Sequence, residues 1–270
     1  MFLAKAVTLV AALLLSLAAI LSTAREARHH SPERLDVEPL NARLERMRDA
    51  LEVELLDESA LKRLSKQRNK AKKAEEKTTK DPRSRLYVLD FDGDLEASAV
   101  SQLREEVTAL LQVLKKGDEV LLRLESEGGM VHGYGLAASQ LKRLRDRQFK
   151  LTVAVDKVAA SGGYLMACVA DHILAAPFAI VGSIGVLMDG FGFTGLMDKL
   201  GVERRLYTAG ENKALGDPFT PVNPKHAAYT KAMLAQIHQQ FIAVVKEGRG
   251  KRLKETPDTF SGLYWNGEEA

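Results

Sequence analysis

A serine hydroxyl and a lysine amine can together carry out acyl transfer, and two stretches of this chain place such residues in suggestive surroundings. Ser161 stands in Ala159-Ala160-Ser161-Gly162-Gly163-Tyr164, directly after an apolar, strand-like run. Lys213 closes Gly210-Glu211-Asn212-Lys213, after a second strand-like run. A serine hydroxyl is a poor nucleophile until a neighbouring base takes its proton, and a neutral lysine amine is one such base. Burial in an apolar site would hold the amine neutral, and the neighbours Ala214 and Leu215 are compatible with that. Taken singly, neither residue stands out. Most Ser-Gly-Gly triplets are turns, and one lysine among 39 basic residues is ordinarily surface charge.

The flanking glycines add a second element of the same chemistry. Ser161 follows a strand and opens a helix, whose first N–H groups have no partner within the helix. Gly162 and Gly163 let the backbone approach a substrate carbonyl, so the N–H of Gly162 is a candidate donor to a developing oxyanion. Gly128-Gly129 follows another strand, and alone it reads as a plain strand-to-helix turn. If the two strands are neighbours, both loops open at the carboxyl edge of one sheet, where open α/β sheets bind ligands. The N–H of Gly129 would then be the second oxyanion donor.

The elements that must position these residues follow from periodicity. Strands are expected at 86–91, 119–124, 151–155 and 205–208. Helices are expected at 97–114 (Val100, Leu103, Val107, Leu110, Leu111 and Leu114 at helical spacing), 133–144, 161–170 and 224–247. Strands alternating with helices predict an α/β domain with mainly parallel pairing, beginning near Arg85 and running to residue 270.

Two different segments precede that domain. Residues 6–24 are uncharged and apolar on every face, long enough for one membrane span, so residues 1–24 are expected to be an uncleaved anchor. A removed signal peptide ending at Ser22-Thr23-Ala24 is the rival reading. Residues 25–84 form a helical and basic linker: Leu40, Leu44, Met47, Leu51 and Leu55 recur at helical spacing, and Lys62–Lys80 holds nine lysines and arginines against Glu75 and Glu76. Such a tract is ordinarily a solvated face, and next to an anchor it would also face anionic lipid. Net charge is only +3, which argues against nucleic acid as a partner. Cys168 is the single cysteine, which excludes an intrachain disulfide, and its apolar neighbours place it in a core. No metal or cofactor signature is present, and the adjacent pair Asp171 and His172 would point to opposite faces of a strand rather than form a triad with Ser161.

Taken in order, Leu151–Tyr164, Ala175-Ala176-Pro177, Ile180–Val186 and Tyr207–Lys213, together with Leu122–Gly129, resemble the SppA/SohB signal peptide peptidase family. The resemblance runs from about Arg85 to the end of the chain, and the apolar segment and basic linker resemble the N-terminal region of its SohB branch. It implies a ClpP/crotonase-like fold with an N-terminal transmembrane helix, and a Ser-Lys dyad with Ser161 as nucleophile and Lys213 as general base. It assigns Ser183, in Gly182-Ser183-Ile184-Gly185, to orienting the lysine amine. The implied activity is a membrane-bound serine endopeptidase without cofactor, acting on peptides, signal-peptide remnants or membrane proteins, in a homo-oligomer at a lipid bilayer. Two departures stand out: Glu127 occupies a place where the family commonly has proline, and members usually continue beyond Tyr264–Ala270, so a truncated C-terminus is expected. An acyl-CoA enzyme of crotonase type, or a non-catalytic scaffold binding membrane proteins, are the competing readings. Arg25, Arg28 and Arg34 follow the apolar segment and lean toward a cytoplasmic main domain. The resemblance implies a bacterial inner membrane with the catalytic domain on the periplasmic side, and that side is the expectation.

Overall fold

A computed structural model describes residues 35–78 and 84–270. The expected anchor, and residues 25–34 and 79–83 of the expected linker, lie outside the described residues. Among the described residues no helix is long and apolar enough to cross a membrane. The described residues divide into two compact units, which part between residues 83 and 84.

In the first unit the leucine periodicity folds as two helices, α1 (Leu40–Leu55) and α2 (Glu58–Thr78). The break between them comes where Asp57 Oδ1 accepts the N–H of Ala60 at 2.8 Å, an N-cap that starts a new helix. Arg68 on α2 reaches back to Glu52 at 2.7 Å and Asp49 at 3.1 Å on α1. The stripe of Leu44, Met47, Leu51 and Leu55 stays exposed.

The second unit is built on one seven-stranded sheet. Its strands are β1 (Leu86–Gly93), β2 (Glu119–Ser126), β3 (Lys150–Val155), β4 (Val158–Ala160), β5 (His172–Ala175), β6 (Ile180–Gly182) and β7 (Tyr264–Asn266). All pairings are parallel except the antiparallel pairing of β6 with β7. β1 runs along one edge of β2 from Leu86↔Glu119 to Gly93↔Ser126. The other edge is shared: β3 pairs as far as Arg123↔Ala154, and β4 takes over at Ser126↔Ala159. The sheet therefore forks, one arm continuing through β3 to β5 and the other through β4 to β6 and β7.

The helices of this unit are α3 (Val100–Val113), α4 (Val131–Asp146), α5 (Gly162–Ala167), α6 (Thr194–Leu200) and α7 (Pro224–Arg249). Leu103, Val107 and Leu110 of α3, and Tyr134, Leu141 and Leu144 of α4, recur at helical spacing. They share one core with Val120, Leu122 and Leu124 of β2 and Leu151, Val153 and Val155 of β3. Each such side chain, fully buried, contributes about 1.5–3 kcal/mol relative to exposure. α7 begins at Pro224, capped by Asn223, whose Oδ1 accepts the N–H of Lys225 at 2.8 Å. It brings Phe241 and Val245 against Cys168 and Ile184 in a second, smaller core. Cys168 is buried as its neighbours suggest, and burial pushes its thiol up to about 12.

One expected element is absent. Residues 205–208 form no strand. Leu206 and Tyr207 are exposed and no neighbouring strand offers them an edge, so β-favouring residue types alone do not make a strand there. That region packs locally instead. Arg204 Nη1 donates to Asp217 at 2.8 Å and its guanidinium lies 5.6 Å from the Phe219 ring, which stacks on Phe193 at 5.5 Å.

The turn into β2 carries a test of how this unit is held. Asp118 is buried, and its carboxylate accepts the N–H of Arg85 at 2.8 Å and of Lys115 at 2.9 Å. Those two bonds draw its pKa below the ordinary carboxylate range, against the upward push of burial. A carboxyl depressed in the folded state stabilises the fold above its unfolded value and loses that contribution as pH falls through the folded value. Asp118→Ala is therefore expected to cost about 2 kcal/mol in urea unfolding at pH 7. The gap from the parent chain should narrow once the pH drops below about 4.

Candidate active site

The pairing Ser126↔Ala159 puts the ends of β2 and β4 side by side, so the loops that follow them leave the same edge of the sheet. The loop after β2 is Glu127-Gly128-Gly129-Met130, and α4 begins at Val131. After β4 the chain turns through Ser161 straight into α5. The two turns are in contact: a Cβ placed on Gly128 would lie 2.6 Å from the backbone N of Gly162 and 2.7 Å from Cβ of Ser161. Gly128 also has φ +94°, a conformation side-chain-bearing residues seldom adopt. Both facts require glycine at that position.

Ser161 is half-buried and itself sits at φ 50° and ψ −117°, a region costly for a residue with a Cβ. Two backbone bonds hold it there. Its N–H donates to the carbonyl of Gly182 at 2.9 Å, and its carbonyl accepts the N–H of Leu165 at 2.9 Å. A strained turn that presents a hydroxyl at the first turn of a helix is an arrangement suited to a nucleophile.

Beside Ser161 opens a cavity of about 210 Å³. Gly129 and Gly162 line it together with Ser161, as do the apolar side chains Val131, Leu165, Val186, Ile237, Phe241 and Val244. The structure thus brings three of the five expected site residues to one cavity. Ser183 does not line it. Ser183 follows Gly182, whose carbonyl holds Ser161, and it too has a positive φ of 54°, with its N–H donating to the carbonyl of Leu263 at 2.8 Å. Lys213 is exposed, in a turn where its N–H donates to the carbonyl of Gly210 at 3.2 Å, and it is not part of the cavity lining. The apolar burial expected around its amine is not present in the single chain: residues 201–223 form irregular loop and turns, with Phe219 stacked on Phe193, rather than a strand in the sheet.

The remaining candidates are accounted for elsewhere. Asp171 accepts from Arg145 at 2.7 Å and from the N–H of Leu151 at 2.8 Å, a structural commitment at the start of β3. His132 and His172 are exposed, and His238 contacts the carbonyl of Ile184 at 3.1 Å. Among the described residues no group of three His, Cys, Asp or Glu side chains is arranged to hold a metal ion.

Two residues at the site carry no chemical motif. Ser126 continues the buried face of β2 after Val120, Leu122 and Leu124, and Tyr134 on α4 is fully buried. Their oxygens lie 2.5 Å apart, the Tyr134 hydroxyl donates to the carbonyl of Asp94 at 2.7 Å, and the N–H of Gly128 donates to Ser126 Oγ at 3.0 Å. A serine in the buried phase of an alternating strand is the one signal that could have found them, because a buried hydroxyl needs a partner.

Comparison with known proteins adds family information. Residues 1–141 match the family described as peptidase family S49 N-terminal, and residues 143–270 match peptidase family S49. A probable protease SohB of Buchnera aphidicola subsp. Acyrthosiphon pisum is 47% identical over 188 residues, covering 70% of this chain and 55% of that protein. A probable protease SohB of Haemophilus influenzae is 48% identical over 185 residues, covering 68% and 52% respectively. The chain thus spans about half the length of the curated relatives it matches. Among solved structures, a 1510-N membrane-bound stomatin-specific protease, bound to a substrate peptide as its K138A mutant, aligns at 16% identity and a TM-score of 0.37. That alignment covers 66% of this chain and 71% of that one, and the likeness is too slight to carry an argument.

The contact between the two glycine turns is open to direct test. Gly128→Ala puts a methyl group into the backbone of Gly162 at a positive φ, and is expected to destabilise the second unit by about 2–4 kcal/mol in urea unfolding. Gly135 has nothing within 4 Å of the place its Cβ would take, so it serves as the matched control, and Gly135→Ala should be neutral or slightly stabilising.

Proposed function

The chain belongs to peptidase family S49, and from that premise we propose that it is a membrane-tethered serine endopeptidase with Ser161 as its nucleophile. The observation that carries this reading is the strained Ser161 turn in contact with the Gly128-Gly129 loop at the mouth of an apolar cavity. A forked, mainly parallel sheet with the serine turn at the fork is consistent with a ClpP/crotonase-like fold.

In this reading Ser161 Oγ attacks the scissile carbonyl carbon, and the carbonyl oxygen takes up negative charge. The N–H groups of Gly162 and Gly129 receive that charge, the first aided by the positive end of α5. The serine proton passes to the neutral amine of Lys213. The same amine then returns it to the leaving amide nitrogen, and water releases the acyl group from Ser161. Ser183 orients the amine. The apolar lining of Val131, Leu165, Val186 and Phe241 suits hydrophobic peptide segments, such as remnants of signal peptides or of membrane proteins. Residues 6–24 would hold the enzyme at the bilayer of a bacterial inner membrane, with the catalytic unit on the periplasmic side.

A lysine amine serves as base only when desolvated, and Lys213 is exposed in the isolated chain. The reading therefore includes an assembled form, a homo-oligomer in which the segment carrying Lys213, from the same chain or a neighbouring copy, covers Ser161. Exposed Tyr207 and Val222 on that segment are compatible with such a contact.

The test is active-site labelling of the full chain in detergent or membranes. A fluorophosphonate probe should label the parent chain, and Ser161→Ala should abolish labelling. Lys213→Ala should lower peptide cleavage by about 10²–10⁴-fold while leaving the unfolding midpoint unchanged. A parent chain that takes no label, or a Ser161→Ala chain that still does, overturns the assignment and favours an acyl-CoA enzyme or a binding scaffold.

A further inference from the structure

We infer that Tyr134, acting through Ser126, is the positioning residue that sets the separation of the Gly129 and Gly162 amides. The inference rests on the peptidase reading above and deepens it. Tyr134 belongs to α4, Ser126 to β2 and Gly162 to α5, so one side chain touches the elements that supply both halves of the oxyanion site.

The contact with α5 is steric. A Cβ placed on Gly162 would lie 2.4 Å from Cγ and 2.6 Å from Cδ2 of the Tyr134 ring. The ring is thus a flat wall against which the first residue of α5 rests. It is itself held by the edge of Phe91, with ring centroids 6.3 Å apart and planes at 64°.

The contact with the glycine loop is a directed chain of hydrogen bonds. Tyr134 has one hydroxyl proton, and the carbonyl of Asp94 can only accept, so that proton points to Asp94 at 2.7 Å. The bond between Tyr134 and Ser126 must then be donated by Ser126 Oγ, at 2.5 Å. Ser126 Oγ in turn accepts the N–H of Gly128 at 3.0 Å. Every proton in the series Gly128 N–H, Ser126 O–H, Tyr134 O–H, Asp94 C=O has one direction. Burial pushes the phenol above its ordinary value, so it remains a donor through the neutral range. Asp94 also anchors its own turn, accepting Ser98 N–H at 2.8 Å, and the carbonyl of Leu95 accepts the N–H of Met130 at 2.8 Å. The series therefore ends on a braced segment that also touches the far side of the glycine loop. Gly93 leaves the room, since a Cβ there would fall 2.5 Å from both hydroxyl oxygens.

Removing the phenol hydroxyl by Tyr134→Phe keeps the wall against Gly162 and cuts the tie from Ser126 to the Asp94 turn, leaving the Gly128 loop held by Ser126 alone. Ser126→Ala removes the bonds from Gly128 to Ser126 and from Ser126 to Tyr134, and so breaks the same series at the loop. Each variant is expected to lower kcat for a peptide substrate about 10- to 100-fold, with KM within about two-fold of the parent. Affinity for a peptide aldehyde, whose adduct with Ser161 carries an oxygen in the oxyanion position, should fall by the same factor as kcat/KM. The double variant should be little worse than either single one, because both cut one series. Circular dichroism checks that each chain is folded. If Tyr134→Phe does not fold, Ser126→Ala carries the same measurement. A folded variant with the kcat of the parent, or one in which KM rises while aldehyde affinity is unchanged, overturns the inference and leaves the peptidase reading intact. A parent chain that neither takes the fluorophosphonate label nor cleaves peptide overturns both.

Discussion

β2 has two hydrogen-bonding edges and three partners. β1 takes one edge along its full length, so β3 and β4 must divide the other, and the division falls between Arg123 and Ser126. That single geometric constraint makes the sheet fork. It also places the last residue of β2 beside β4 just before the chain turns at Ser161. Neither glycine loop could reach the other if β3 continued along β2 to its end. The contact of Gly128 with the Ser161–Gly162 turn is thus a product of strand pairing and not of the loops alone.

Much of this architecture is visible in the chain before folding, for physical reasons that differ by element. β1, β2, β3, α3, α4 and α7 each carry enough residues to show a period, and each lies close to where the pattern puts it. β4, β6 and β7 have three residues each and cannot show a period of two. Their existence depends on long-range partners. Arg205–Thr208 is the opposite case: it has strand-like composition and finds no edge to join. The glycines at 128, 129, 162 and 163 are legible because close backbone approach demands them. Ser126 shows only as a hydroxyl in the buried phase of β2, and the role of Tyr134 is not legible at all, because it lies in a series of bonds across three elements.

The expected base illustrates the same limit from another side. Ser161, Gly129 and Gly162 meet through local turns on one sheet edge, so a single chain suffices to assemble them. Lys213 belongs to a segment with no place in the sheet, stabilised by Arg204 with Asp217 and by the Phe193–Phe219 stack. Neither hydrophobic period nor residue type reports where such a segment lies relative to Ser161.

The bond from the Ser161 amide to the carbonyl of Gly182 has one more consequence. An amide N–H has a single proton to give, and this one is already engaged within the fold. If Ser161 is the nucleophile, as proposed, its own backbone is therefore unavailable to the charge that its side chain would create. In the proposed mechanism that charge would fall instead to the next residue along α5 and to a loop contributed by a different strand. Such a division would tie reactivity to the mutual arrangement of two segments rather than to one turn. It also makes the β6 backbone a mechanical support of the serine, so a disturbance at Gly182–Ser183 would be felt at Ser161 without any side chain being touched.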